Sequence, residues 1–368
     1  MKPIKVLHIM NGAVSGGIPM AVLNMYQTVN LNEIHFDCAV YNMALGSIGV
    51  QLQEMGCKFY PLPLKSRYPI QYKNDLMRIL SLEKYDVVHA HQNFTSYYPL
   101  WIAMKCGITH RIAHAHSNYS MKGISGHFKT TLAHSLLSRY ATQLVACSEQ
   151  AARSIFGEKS LKTNKLKIIK NCISTANFKY NDFVRCKLRK EMKLDKKIII
   201  GCVGNLGKEK NLGFAIDILR FLPEKFILMI IGNGEEWDSL HQKTKGLNLA
   251  DRVIFTGRKS NVNDFLQVFD LFLMPSLYEG FGIAALEAAA SGLPILLSTN
   301  IPNDFKFYSQ YFTDTLETGP KNWATKIENI LNYNHYNREN GYNEVYKAGF
   351  DLSSNVDIIN HIYGVKSL

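Results

Sequence analysis

Both halves of this 368-residue chain open with the same local pattern. Near the N-terminus Lys5-Val6-Leu7-His8-Ile9-Met10 is a short apolar run; it feeds a loop carrying Gly12, Gly16 and Gly17, and a helical pattern follows over 20–26. In the second half Ile198-Ile199-Ile200-Gly201-Cys202-Val203 leads into a loop from Gly204 to Asn211, then a helical pattern over 214–221. A continuous apolar strand, a glycine loop and a helix form the opening of a parallel α/β unit. The alternation continues, with further strands predicted at 35–41, 59–62, 87–90, 111–115, 143–146, 167–169, 226–231, 253–256, 271–274 and 295–298. Alternating β and α elements predict parallel sheets covered by helices on both faces. The chain is too long for one core, so two such domains are expected. Residues 174–196 are polar and charged and read as the linker, and 355–363 as a short amphipathic helix. In doubly wound sheets ligands lie beyond the carboxyl ends of the strands, where both glycine loops fall.

Residues 274–294 read MPSLYEGFGIAALEAAASGLP and follow the apolar run 271–274. The segment is therefore strand, loop and helix, with Glu279 on the loop and Glu287 in the first turns of the helix. Carboxylates accept hydrogen bonds from hydroxyls. Free backbone N–H groups at a helix start attract phosphate oxygens. The combination suits a ligand that is part polyol and part phosphate, and a nucleotide sugar has both. The competing reading is a capped helix with two surface acids.

Charge is divided unevenly. Residues 1–180 hold 20 Lys and Arg against 8 Asp and Glu, and residues 181–368 hold 22 against 22, so the whole excess of +12 sits in the first half. That bears on partners rather than fold. It fits an anionic membrane surface, an acidic acceptor or nucleic acid, or simply a solvated face. Two segments of the first half interleave cations with apolar groups: Lys65-Ser66-Arg67-Tyr68 with Tyr72-Lys73, and the helical pattern Met121, Ile124, Phe128, Leu132, Leu136 with Lys122, Lys129 and Arg139. Such a helix can lie on an anionic leaflet or pack on its own sheet. A nucleic-acid partner would explain the charge but not the paired glutamates, and none is expected. No apolar run approaches the ~20 residues that span a bilayer, and the start does not read as a signal peptide. Seven dispersed cysteines without a CxxC pair fit a reducing cytoplasm and small buried side chains.

In this order the motifs resemble the retaining nucleotide-sugar glycosyltransferases of family 4, with the two-domain GT-B fold, and within them the bacterial capsule and exopolysaccharide type. The matching pieces are Gly16-Gly17-Ile18, Asp86-Val87-Val88-His89-Ala90-His91, Arg111-Ile112-Ala113-His114-Ala115-His116-Ser117, Cys147-Ser148, Asn171-Cys172-Ile173, Gly204 through Asn211, and the Glu279/Glu287 block. The resemblance covers nearly the whole chain. It implies an acceptor-side domain of 1–173 completed by a C-terminal helix in 352–368, a donor domain of 197–351, and a catalytic cleft between them. It also implies no required metal and no cofactor, the nucleotide sugar being a substrate.

The resemblance also assigns roles. Glu287 takes the ribose hydroxyls, and Glu279 contacts the transferred sugar. Backbone amides near Phe281, Gly282 and Ile283 hold sugar or phosphate. Lys210 stabilises the negative charge that grows on the departing diphosphate. Gly16 and Gly17 allow close backbone approach to the donor phosphate or the acceptor, and His116 points at the sugar. Arg258, in the stretch Thr256-Gly257-Arg258-Lys259, falls near the base. Asn205 stands where the family usually has an arginine on the same phosphates. Asparagine offers hydrogen bonds but no charge, leaving Lys208, Arg258 and Lys259 as cations that could compensate. Gly232-Asn233-Gly234 reads as a tight turn into a helix, not a dinucleotide fingerprint.

The expected activity is transfer of a sugar, most simply from a UDP-sugar, to a glycan or lipid-linked glycan during surface polysaccharide assembly. The expected site of action is the cytoplasm, with the inner membrane face as a surface to which the basic half could bind peripherally. Asn205 keeps a second class of function open, a non-catalytic scaffold subunit of a glycan assembly complex. A nucleotide-sugar epimerase on the same fold is a third.

Overall fold

The computed structural model describes residues 2–14, 16–116, 124–302, 304–333 and 337–365. It forms two compact units, Met1–Cys172 with Leu352–Leu368, and Ile173–Asp351.

The first unit is a seven-stranded sheet: β1 Ile4–Ala13, β2 Ile34–Leu45, β3 Phe59–Pro61, β4 Val87–Ala90, β5 His110–Ala115, β6 Gln143–Ala146 and β7 Leu166–Ile168. All pairings are parallel, and the spatial order is β3-β2-β1-β4-β5-β6-β7. The second unit has six strands: β8 Ile198–Val203, β9 Phe226–Ile231, β10 Val253–Gly257, β11 Leu271–Met274, β12 Ile295–Ser298 and β13 Tyr311–Asp314. They too are all parallel, in the order β10-β9-β8-β11-β12-β13. In each sheet the order reverses beside the first strand, between β1 and β4 and between β8 and β11. A crevice opens at such a reversal because the two neighbouring loops leave in opposite directions.

Burial explains why these segments are strands. All six residues of β9 are buried, as expected of a parallel strand covered on both faces. Alternate residues of β1 enter different cores: Leu7 and Ile9 pack on one face with Val88, Leu100 and Leu137, while Val6 and Met10 pack on the other with Phe36 and Tyr26. The helix Val356–Tyr363 returns to the first unit and adds Ile359, Ile362 and Tyr363 to that second face. In β8 only glycine fits at 201, since a Cβ there would sit 1.9 Å from the Phe269 ring.

The linker reading of 174–196 does not survive. This segment belongs to the second unit. Its helix Asp182–Glu191 is fastened there because Asp270 takes Arg185 at 2.5 Å and Arg189 at 3.1 Å, while also accepting the Ile199 N–H at 2.7 Å. Composition made the segment look solvated, whereas its arginines are spent on carbonyls and on one carboxylate. The strand β13 was not foreseen; it is an edge strand, partly exposed throughout, and its apolar signal is weak.

Candidate active site

The second unit brings Lys210 and Glu279 together at the β8/β11 reversal. Lys210 closes a short 3-10 turn, Lys208–Lys210, after β8. Glu279 lies on the loop after β11. The Lys210 Nζ donates to Glu279 Oε1 at 2.5 Å, and both side chains are largely buried, 19% and 11% exposed. Ser276 Oγ donates to the same carboxylate oxygen at 2.9 Å, and Ser298 Oγ, at the end of β12, donates to the Ser276 carbonyl at 2.5 Å. The two loops are laced further: Leu277 N–H donates to the Glu209 carbonyl at 2.8 Å, and Asn211 Nδ2 to the Pro275 carbonyl at 3.2 Å. Gly204 has φ +152°, and a Cβ there would lie 3.3 Å from Lys210 Cε, so glycine lets the lysine lie across the loop. A small recess results, lined in part by Gly204, Asn205, Lys210, Met274, Pro275 and Ser276.

Glu287 lies in the helix Ile283–Ala290, whose cap, Gly282, is left-handed with φ 91°. Its carboxylate makes no hydrogen bond or ion pair among the described residues, and burial pushes its pKa up to about 7. Among the described residues the Ile283 and Ala284 N–H groups have no backbone acceptor, whereas the Ala285 N–H donates to the Gly282 carbonyl at 2.9 Å. The Phe281 side chain is core, tilted against Phe305 and Phe350 at 5.5 and 5.6 Å, so only its backbone faces the loop. Asn205 and Arg258 are exposed. The Asn205 carbonyl accepts the Gly207 N–H at 2.9 Å, and no hydrogen bond or ion pair occupies the Arg258 guanidinium among the described residues.

In the first unit Gly16, φ 113°, caps the helix Gly17–Thr28 after β1. A Cβ added at either Gly16 or Gly17 would meet nothing within 4 Å among the described residues. His116 follows β5 and is the outer member of a row of histidines. His8 pairs with His89 across β1 and β4, and one strand face carries His8, His89, His91, His114 and His116. His8 Nδ1 lies 2.8 Å from His91 Nε2, and His91 Nδ1 lies 2.8 Å from His116 Nε2. Beside them His89 Nε2 lies 3.2 Å from His114 Nδ1, and His89 Nδ1 lies 2.8 Å from the Tyr363 hydroxyl. Burial pushes His8 and His116 down to about 3 and the other three well below the usual range, so all five are neutral. Two triples, His8/His89/His91 and His91/His114/His116, hold ring nitrogens within 4.8 Å of one another. Most of these nitrogens are engaged already: His8 Nδ1, both nitrogens of His89 and His91, His114 Nδ1 and His116 Nε2 lie in hydrogen bonds, while His114 and His116 stack at 3.9 Å and His89 and His91 at 4.2 Å.

Sequence reading missed Ser276, Ser298, His8 and Tyr363. Only His8 carried a signal, being the third strand's counterpart to two His-x-His pairs. Of the basic segments, Lys65 turns inward: its Nζ bonds Gln92 Oε1 at 2.5 Å and Thr95 Oγ1 at 2.7 Å, and burial lowers its pKa to about 7. Met121 and Lys122 lie outside the described residues, as do the side chains of Ile124 and Phe128. In the helix Ile124–Tyr140, Ala133 and Leu137 face the core and Leu132 is 50% exposed. Among the described residues no helix is long and apolar enough to cross a membrane.

Two family models cover most of the chain: the glycosyltransferase family 4 model matches residues 34–177, and the glycosyl transferases group 1 model matches 185–345. This chain is a family 4 glycosyltransferase. It is 25% identical to the putative glycosyltransferase EpsF of Bacillus subtilis, over 99% of this chain and 97% of the relative. It is 26% identical to CapH of Staphylococcus aureus, a capsular polysaccharide biosynthesis glycosyltransferase, over 99% and 100%. Among solved structures, Anabaena HepE in complex with UDP-glucose superposes with a TM-score of 0.82 at 17% identity, covering 99% of this chain and 100% of that one. The glycosyltransferase thus has the GT-B fold, two parallel-sheet α/β units each with its order reversal.

Proposed function

We propose that this glycosyltransferase moves a sugar from a UDP-sugar to a glycan or lipid-linked glycan in surface polysaccharide assembly, with retention of the donor's anomeric configuration. The observation that carries the reading is the Lys210–Glu279 pair beside a helix start with free amides and an unpartnered Glu287. These are groups for a diphosphate, a sugar and a ribose. CapH, a capsular polysaccharide biosynthesis glycosyltransferase, supports the polysaccharide role, and HepE supports a uridine nucleotide by its bound ligand.

In this reading the diphosphate arrives at Lys210, which turns from Glu279 towards the incoming charge. Ser276 keeps Glu279 in place, so the carboxylate is left to accept hydrogen bonds from sugar hydroxyls. As the glycosidic bond breaks, charge builds on the distal phosphate. Lys210 and the amides at Gly282 and Ile283 stabilise that charge more than the ground state. They supply positive charge without a metal, and the leaving phosphate takes the acceptor's proton. His116, Gly16 and Gly17 are assigned to the sugar and the acceptor. The basic half would bring the enzyme to an anionic leaflet on the cytoplasmic side.

The test is thermal stability against a panel of nucleotides and nucleotide sugars, with Glu287→Ala as control. Stabilisation by uridine compounds, lost in the variant, supports the reading, since a ligand bound only by the folded state raises stability. No stabilisation by any UDP, GDP or ADP compound overturns it and favours the scaffold role. Conversion of the donor without an acceptor would favour the epimerase.

A further inference from the structure

The histidine row has a feature that the family assignment leaves unused. His8 Nε2 is fully buried and has no hydrogen-bond partner among the described residues. Its ring lies 4.2 Å from Phe36, whose face is at best a weak acceptor. A neutral imidazole carries one N–H and one lone pair, so a chain of them can be ordered in only two ways. In one, His116 Nε2–H donates to His91, His91 Nε2–H donates to His8 Nδ1, and His8 is left with a buried N–H facing nothing. In the other, His8 Nδ1–H donates to His91 Nε2, His91 Nδ1–H donates to His116 Nε2, and only a lone pair is stranded. Buried N–H groups without an acceptor are rarer than buried acceptors without a donor. The orphaned nitrogen therefore selects the second order.

We propose that His8 and His91 are positioning residues that fix the tautomer of His116, so that His116 holds its proton on Nδ1 and offers it as a hydrogen bond to an oxygen of the transferred sugar. This rests on the proposed contact between His116 and the sugar. His116 is then a neutral donor and not a general base: its Nε2 lone pair is occupied by His91, and its other nitrogen already carries the proton. The neighbouring pair provides an internal contrast. Among the described residues Tyr363 has only the Met25 sulfur, at 4.0 Å, as another acceptor, and sulfur is a weak one, so its hydroxyl donates to His89 Nδ1. His89 then donates from Nε2 to His114 Nδ1, and both rings take the opposite tautomer.

Histidine-selective 15N labelling of the whole protein and long-range 1H–15N spectra read each tautomer directly. His116→Gln, His91→Gln and His8→Gln identify the signals. The expected result is Nδ1–H for His8, His91 and His116, and Nε2–H for His89 and His114. A wild-type His116 protonated on Nε2, or on both nitrogens, overturns the assignment whatever the kinetics. His91→Phe frees His116 Nε2 and should shift the tautomer. It should lower kcat by roughly tenfold, the equivalent of one lost positioned hydrogen bond, with little change in donor KM, using the nucleotide sugar that stabilises the protein best. His91→Gln, which can accept from His8 and donate to His116, should restore most of that loss. If His116 is Nδ1–H but His116→Gln transfers sugar at the wild-type rate, the contact with the sugar is overturned and the tautomer assignment stands.

Discussion

In the proposed donor site Glu287 ties the stability of this enzyme to its function. The carboxyl lies in the helix after β11, has no partner among the described residues, and is raised by burial from its ordinary 4.5 to about 7. An acid whose pKa is raised in the folded state loses stability as pH climbs from the unfolded value to the folded one. Below 4.5 it is protonated in both states and costs nothing. Above about 7 the folded protein carries an ionised, poorly solvated carboxylate. At ~1.4 kcal/mol per pKa unit, that charge costs the ligand-free protein about 3 kcal/mol at pH 8 and less than about 1 kcal/mol at pH 5. Glu287→Gln keeps the shape and removes the charge. It should therefore stabilise the second unit at pH 8, by roughly 6–12 °C for a unit of this size, and by far less at pH 5. The same variant should lose stabilisation by nucleotide, because an amide accepts hydroxyl hydrogen bonds less strongly than a carboxylate does. Thermal and urea unfolding at both pH values, with and without UDP, read all of this. A gain at pH 8 no larger than at pH 5 would refute the argument that the stranded charge is the cost. Unchanged nucleotide stabilisation would remove Glu287 from the donor site.

Three further outcomes follow from the site and its loops. Lys210→Met should lower kcat by about 10²-fold or more while leaving the fold intact, since it removes the cation placed where charge develops; steady-state kinetics within threefold of wild type would take Lys210 off the diphosphate. Asn205→Arg adds a second cation on the exposed lip of the same recess and should raise kcat several-fold, by roughly 1 kcal/mol of transition-state stabilisation; a fall in rate would mean that the asparagine is doing something an arginine cannot. Gly232→Ala should destabilise the second unit by more than about 2 kcal/mol, because φ is +144° and the new Cβ would lie 1.8 Å from the Gly204 carbonyl oxygen; chemical denaturation reads the loss.

The strands were legible because a parallel strand covered on both faces must be a short unbroken apolar run. Apart from β13, each strand was placed to within a few residues of its ends, although β3 and β7 are partly exposed and β7 carries Lys167. Glu279 and Glu287 were legible as candidates from one strand–loop–helix block and Lys210 from the loop after β8, since spacing within such a block is a local property. Residues 174–196 misled because composition reports solvation, and cannot report that Arg185 and Arg189 fold back onto Asp270. A helical apolar period does not say which neighbour covers it: in the helix Ile124–Tyr140 the sheet takes Ala133 and Leu137, while Leu132 is 50% exposed.

The sequence by itself determined the class of the chain: two parallel α/β units, a glycine loop opening each, and a carboxylate pair over a helix start. These are local patterns, set by how side chains repeat along one strand or one helix. Tertiary structure alone decided which groups meet. Lys210 and Glu279 lie 69 positions apart in the chain and touch only because β8 and β11 are neighbours in the sheet. His8, His91 and His116 form one chain of hydrogen bonds only because three strands lie in register. Register is a property of strand pairing, and no single strand contains it.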